Sequence, residues 1–260
     1  MTTRTDPWEP GTPCWFDLAA PDLAAATQFY ATTFGWDLMD TGEEFGHYTF
    51  CLVDGKPVAG IGSAPEGAGS APIAWTVYLA VDDADKTATA IAGAGGTVLM
   101  PPMAIADQGR MAIAVDPTGA TLGLWQANRM SGAVLVNEPG GVIWNDHRSV
   151  DPHGARQFYA AVFGYHYSEM PDGGDYRSID GAGPGGTIGG IGGPDPDLPG
   201  DLPAHWMTYL AVASVDDTTA RAVHAGATVV SGPADTAFGR MAALRDPHGT
   251  YFKIGSATPA

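Results

Sequence analysis

RMAIAVDPTGATLGLWQ, residues 110–126, returns later in the chain as RMAALRDPHGTYFKIG, residues 240–255. Arg110, Asp116 and Gly119 match Arg240, Asp246 and Gly249 at an offset of 130. Two further motifs do the same. CWFDLAAPDLAAATQFYATTFGW, from Cys14, aligns with IWNDHRSVDPHGARQFYAAVFGY, from Ile143, at an offset of 129. AWTVYLAV, from Ala74, aligns with HWMTYLAV, from His205, at an offset of 131. A nearly constant offset across three separated motifs is the signature of a duplicated domain. The sequence therefore divides into a tail (residues 1–10), a first domain (11–127), a linker (128–140) and a second domain (141–257).

Each copy reads as strand, helix and three strands, performed twice. CWFDLA alternates as a strand should. PDLAAATQFYATTFG has Asp22 at its start, apolar residues on one side and Gly35 as a stop, which predicts a helix. Its twin starts at Asp151-Pro152 and stops at Gly164. The second unit opens on WTVYLAV and continues with an acidic-started helix, DDADKTATAIAGAG. Asp116-Pro117-Thr118-Gly119 and Asp246-Pro247-His248-Gly249 have Pro second and Gly fourth, as a type I turn prefers, so each joins a terminal hairpin.

Composition narrows the classes. Of the 260 residues 45% are hydrophobic, enough for real cores, and 36 Gly with 21 Pro punctuate many short strands. A formal charge of −17 disfavours nucleic acid and anionic membranes as partners. Cys14 and Cys51 read as buried free thiols. The N-terminal residues lack the apolar core of a signal peptide, and no apolar run reaches membrane-spanning length. A cytoplasmic protein, monomer or homodimer, is the expectation.

A βαβββ unit used in pairs, with FY…FGW closing the helix and DPxG in the last hairpin, resembles the vicinal oxygen chelate superfamily of glyoxalase I, bleomycin- and fosfomycin-resistance proteins and extradiol dioxygenases. DPTGATLGLWQANR followed by LVNEPG and WND is closer still to a group of two-domain actinobacterial proteins, labelled glyoxalase-like or hydroxylase, that includes a mycobacterial antigen. The resemblance implies an α+β fold of two tandem domains, each two βαβββ modules curling a sheet around a cleft. It also implies, in the metal-dependent members, His, Gln or Glu ligands on the first and last strands of each module. Those positions carry over to Trp15, Ala59, Thr76 and Gly123 in the first copy, and to Trp144, Gly189, Met207 and Lys253 in the second. None is a His, Asp, Glu, Gln or Cys, the side chains that bind Zn, Fe, Ni or Mn. The expectation is no metal and no cofactor.

Strand alternation then selects the residues that line the clefts. In the first copy these are Trp15, Asp17, Thr76, Tyr78, Thr121, Gly123 and Trp125. In the second they are Trp144, Asp146, Arg148, Met207, Tyr209, Tyr251 and Lys253. Aromatic walls with a few polar groups suit a flat organic ligand. Asp17 and Asp146 are candidate general bases, since a carboxylate beside indole in a cleft has its pKa raised; each could equally be solvated or paired with Arg. Arg110 and Arg240 are candidate anchors for a substrate carboxylate or phenolate, or partners of a nearby acid. His205 and His47 are candidate acid–base groups near neutral pH. No GxSxG elbow or Walker loop is present. Two functions remain: a metal-independent tailoring enzyme, of hydroxylase or isomerase type, for an aromatic or polyketide-like compound; or a non-catalytic protein sequestering a drug-like molecule. A metal-dependent lyase of glyoxalase type is disfavoured by the ligand positions.

Overall fold

The computed structural model describes residue 4 and residues 6–65, 74–170, 174–181 and 186–256. The first half contributes β1 (Pro13–Ala20), α1 (Leu23–Phe34), β2 (Asp37–Asp40), β3 (Thr49–Val53), β4 (Lys56–Ser63), β5 (Thr76–Ala80), α2 (Ala84–Gly93), β6 (Thr97–Ile105), β7 (Gly109–Val115) and β8 (Thr121–Ala127). The second contributes β9 (Val142–Arg148), α3 (Pro152–Phe163), β10 (His166–Glu169), β11 (Arg177–Asp180), β12 (Thr187–Gly192), β13 (His205–Val212), α4 (Val215–His224), β14 (Thr228–Thr236), β15 (Gly239–Arg245) and β16 (Tyr251–Ser256).

The helix boundaries follow from capping chemistry. The Asp22 carboxylate accepts from the Ala25 N–H at 3.0 Å, satisfying a donor that the first turn of α1 leaves free. Gly35 ends the helix at φ 72°, in the left-handed region that favours glycine. Asp151 and Gly164 repeat both devices around α3.

Each half closes its own eight-stranded sheet, in the order β2-β3-β4-β1-β5-β8-β7-β6 and β10-β11-β12-β9-β13-β16-β15-β14. The first strands of the two modules, β1 with β5 and β9 with β13, pair antiparallel at the centre of each sheet. The chain is thus an α+β protein of two tandem domains. On one face of the first sheet Phe16, Leu18, Val77, Leu79, Leu122 and Leu124 are buried in the core. The opposite face carries Trp15, Asp17, Tyr78 and Gly123, aligned by the registers Trp15↔Tyr78 and Tyr78↔Gly123.

The repeated DPxG turns clasp the two halves together. Tyr30 of α1 donates to the Asp246 carboxylate at 3.0 Å and accepts from the Trp75 indole N–H at 3.2 Å. Reciprocally, Tyr159 of α3 donates to Asp116 at 3.1 Å and accepts from Trp206 at 2.8 Å. Helix α1 packs on α4, and α2 on α3. One side of the clasp is reinforced: His147, buried, bonds Asp116 through Nε2 at 2.7 Å, where the first copy has Leu18. Burial pushes the Asp116 carboxyl up, but His147 and the turn's own hydrogen bonds outweigh it and hold the carboxyl below its usual range. No helix among the described residues is long and apolar enough to cross a membrane.

Candidate functional site

The two sheets present twin carboxylates, Asp17 and Asp146, in opposite electrostatic settings. In the first domain the Tyr78 hydroxyl donates to Asp17 at 2.9 Å, and the Trp15 indole N–H donates to the Tyr48 hydroxyl at 2.8 Å. Burial pushes the Asp17 pKa up to about 7, and the Tyr78 hydrogen bond offsets only part of that. Among the described residues no Lys, Arg or His is bonded to this carboxylate. Asp17 and Tyr48 are both half-buried, so solvent reaches the pair.

In the second domain Asp146 is buried and saturated. It accepts from the Trp144 indole at 2.6 Å, the Tyr176 hydroxyl at 2.5 Å, the Tyr209 hydroxyl at 2.7 Å and the Arg148 guanidinium at 2.6 Å. Burial pushes this carboxyl up too, but Arg148 and the two tyrosines prevail and hold it below the usual carboxylate range. The β12–β13 connection then covers the cleft. Lys253 binds Asp195 at 2.9 Å and Asp197 at 2.8 Å, and Leu198 buries itself with Met207, Tyr209 and Ala243.

Glycines record how the sheet face was refilled. A Cβ at Gly60 would collide with the Tyr48 hydroxyl, and one at Gly123 with the Tyr78 ring. In the second domain Tyr176 lies over Gly190 in the same way. Tyrosine rings therefore occupy the space that a longer side chain would need. Gly123→Ala is expected to cost about 1–3 kcal/mol, because overpacking must displace Tyr78, as a drop in the denaturant midpoint would show.

The fit to a metal was tested on the donor set. The positions carried over as Ala59 and Gly189 need correction. Gly60, not Ala59, is the register partner of Asp17, and Gly190, not Gly189, is that of Asp146. Ala59 is buried in the core on the other face, and a Cβ at Gly189 would run into the Asn145 carbonyl. The corrected positions are still glycine. Among the described residues no three His, Cys, Asp or Glu side chains are grouped so as to hold an ion. The residues present do not fit the metal that the fold implies.

The two candidate arginines fall away from the clefts, whereas His205 and Tyr251 border the plugged second cleft. Arg110 pairs with Asp85 of α2 at 2.8 Å, and Arg240 with Asp216 of α4 at 2.6 Å and Asp235 at 2.9 Å. Their neighbours two residues on, Ala112 and Ala242, are core, so both arginines leave the sheet on the helix side. His47 is exposed in the turn before β3, at φ 58°, and bonds Asp40 at 2.9 Å. His205 starts β13 beside Arg148, its Nδ1 against the Pro203 carbonyl at 2.8 Å; burial lowers its pKa. Trp125 packs over Gly109 and spends its N–H on the Met130 carbonyl at 2.8 Å, steadying the linker. Tyr251 is half-buried beside the plug of the second cleft. Tyr48, Tyr176 and Asp195 were not among the sequence-predicted site residues. The repeat could have exposed the tyrosines, since Gly46-x-Tyr48 and Gly174-x-Tyr176 match at an offset of 128.

This fold and this paired-module cleft define a class. A profile described as Glyoxalase/Bleomycin resistance protein/Dioxygenase superfamily matches residues 14–124 and 148–254, and the chain belongs to that superfamily. It is 42% identical over 266 residues to CFP32 of Mycobacterium bovis, a protein provisionally named a glyoxylase, covering all of this chain and 99% of the relative. It is 38% identical to the anthracycline biosynthesis protein DnrV of Streptomyces peucetius, covering 94% of this chain and 93% of the relative. Among solved structures, a Mn(II)-bound glyoxalase from Novosphingobium aromaticivorans superposes with a TM-score of 0.64 at 17% identity, over 95% of this chain and 82% of the other, a likeness of fold.

Proposed function

We propose that this protein is a metal-independent tailoring enzyme that acts on an aromatic or polyketide-like small molecule by general acid–base chemistry in the cleft of its first domain. One observation carries the reading: Asp17 faces its cleft without a bonded cation and with a pKa near neutrality, while its twin Asp146 is locked among four donors. A base poised near the working pH is what proton transfer requires. Trp15 and Tyr78 are buried and back the half-buried Tyr48 and Phe50, whose rings supply the aromatic walls for the ring system. In the second domain Met207, Tyr209, Arg148 and Lys253 are consumed by the plug, so that cleft serves as structure. The similarity to an anthracycline biosynthesis protein supports a polycyclic aromatic substrate.

The test combines elemental analysis with a panel of polycyclic hydroxyquinones and aryl ketones, quinizarin among them. Binding is followed by tryptophan fluorescence and conversion by mass spectrometry, before and after dialysis against EDTA. The reading expects substoichiometric metal, and binding and conversion that survive the chelator. A stoichiometric metal, or activity restored only by Mn(II), Zn(II) or Fe(II), would overturn it. Binding with no conversion of any panel member would favour the sequestering protein.

A further inference from the structure

We infer that Tyr48 is a second catalytic residue of the first cleft, the hydrogen-bond donor to a carbonyl oxygen, and that the substrate is therefore an enolisable aromatic ketone. This rests on the reading of that cleft as the working site.

The argument is a comparison of twins. Tyr48 and Tyr176 lie over equivalent glycines, Gly60 and Gly190, which are the register partners of Asp17 and Asp146. Both hydroxyls accept from the indole N–H of the first strand, Trp15 at 2.8 Å and Trp144 at 3.0 Å. They differ in where the hydroxyl hydrogen goes. Tyr176 gives its hydrogen to Asp146. Tyr48 gives its hydrogen to no acceptor among the described residues. Burial first, and the neighbouring Asp17 carboxylate second, push the Tyr48 phenol well above its ordinary pKa, so it keeps that hydrogen. Asp17 is a base with one donor, and Tyr48 an acid with no acceptor. They face one cleft, with the Tyr78 hydroxyl on the base and the Trp15 indole on the acid.

The step this pair supports is balanced without an oxidant. Asp17 removes the proton from the carbon next to the carbonyl, and the C–H electron pair becomes a C=C bond. The carbonyl π pair moves to oxygen, where the Tyr48 O–H holds the developing enolate by donating its hydrogen bond. Reversal, with the Asp17 proton delivered to the same or a conjugated carbon, returns both residues to their starting states. The net result is hydrogen exchange or isomerisation.

The experiment is exchange of the α-hydrogens of β-tetralone in D2O, followed by NMR, with the full-length protein. Wild type is expected to exceed an equal concentration of acetate buffer, with a rate that rises as pH passes through about 7, where Asp17 ionises with Tyr78, Tyr48 and Trp15 around it. Tyr48→Phe should lower kcat for exchange at least tenfold with a smaller change in KM, and should leave the rise through about pH 7 in place. Tyr176→Phe should leave exchange unchanged. Circular dichroism and thermal unfolding establish that each variant folds, and fluorotyrosine at position 48, a stronger hydrogen-bond donor of nearly the same shape, should keep or raise kcat even if Phe is poorly tolerated. Wild-type exchange in Tyr48→Phe, or a tenfold loss with fluorotyrosine in a folded variant, overturns the assignment of Tyr48; if Asp17→Asn is then still inactive, the proposed function survives. No exchange by wild type, with conversion of hydroxyquinones intact, overturns the ketone chemistry alone.

Discussion

Asn in place of Asp17 is expected to abolish conversion and to stabilise the protein above neutral pH. A positioned general base contributes roughly 10²- to 10⁴-fold to a rate, so conversion of any panel compound should fall by at least that lower bound. Quinizarin affinity should change little, because the aromatic walls remain. The stability effect has a definite sign. The folded pKa of Asp17, about 7, lies above its ordinary value of 3.8, so the folded chain holds this proton more tightly than the unfolded chain. Its contribution is complete below about pH 4 and is lost as pH rises through 7. The wild type therefore gives up roughly 2–4 kcal/mol at pH 8 to keep a carboxylate there. Asp17→Asn should melt higher than wild type at pH 8, by less at pH 5, and close to it only below about pH 4. A stability cost concentrated on one cleft-facing group is the pattern expected of a functional residue.

The same substitution at the twin position should do the opposite. Asp146→Asn removes the bonded counterion of half-buried Arg148, leaving it Asp195 at 3.8 Å, and weakens three further hydrogen bonds. Breaking a buried pair from one side costs about 3–5 kcal/mol when a charge is left without compensation; with Asp195 still beside Arg148 the loss should fall toward the lower end of that range. The denaturant midpoint should fall accordingly at pH 7. Here the folded pKa is depressed, so the stabilisation is present above the ordinary aspartate range and disappears as pH falls through it. The gap between variant and wild type should narrow below about pH 4. Lysine 253 tightens the contrast: with Asp195 and Asp197 it pins Leu198 into the cleft, so the second domain is expected to stay closed to quinizarin in both proteins.

The repeat, both helix caps and the faces of β1, β5 and β8 were legible in the sequence, because each rests on local chemistry: Asp at N-caps, Gly at helix stops, alternation along strands. The clasp was not. Asp116 and Asp246 look like ordinary turn residues, and only the packing of the halves brings Tyr159 and Tyr30 to them. The clefts were half legible. Asp17 and Asp146 stand at matching positions and read alike, yet the residue two further on is Ala19 in one copy and Arg148 in the other. That difference and a distant Lys253 decide which carboxylate is neutralised. Arg110 and Arg240 misled because each follows a glycine at a strand start, where parity is hard to set; an acid on the neighbouring helix draws both to the far side of the sheet. The Ala59 position missed by one residue, and a slip of one turns a side chain to the other face.

The ionisation of Asp17 is the most direct test of the account. Carboxyl-¹³C labelling of aspartate, with Asp17→Asn to assign the signal, reports it by NMR titration in the intact protein. The account predicts one aspartate in the first domain titrating near pH 7 while Asp146 titrates below the ordinary aspartate range. An Asp17 signal that titrates in the ordinary aspartate range, near 4, would contradict it.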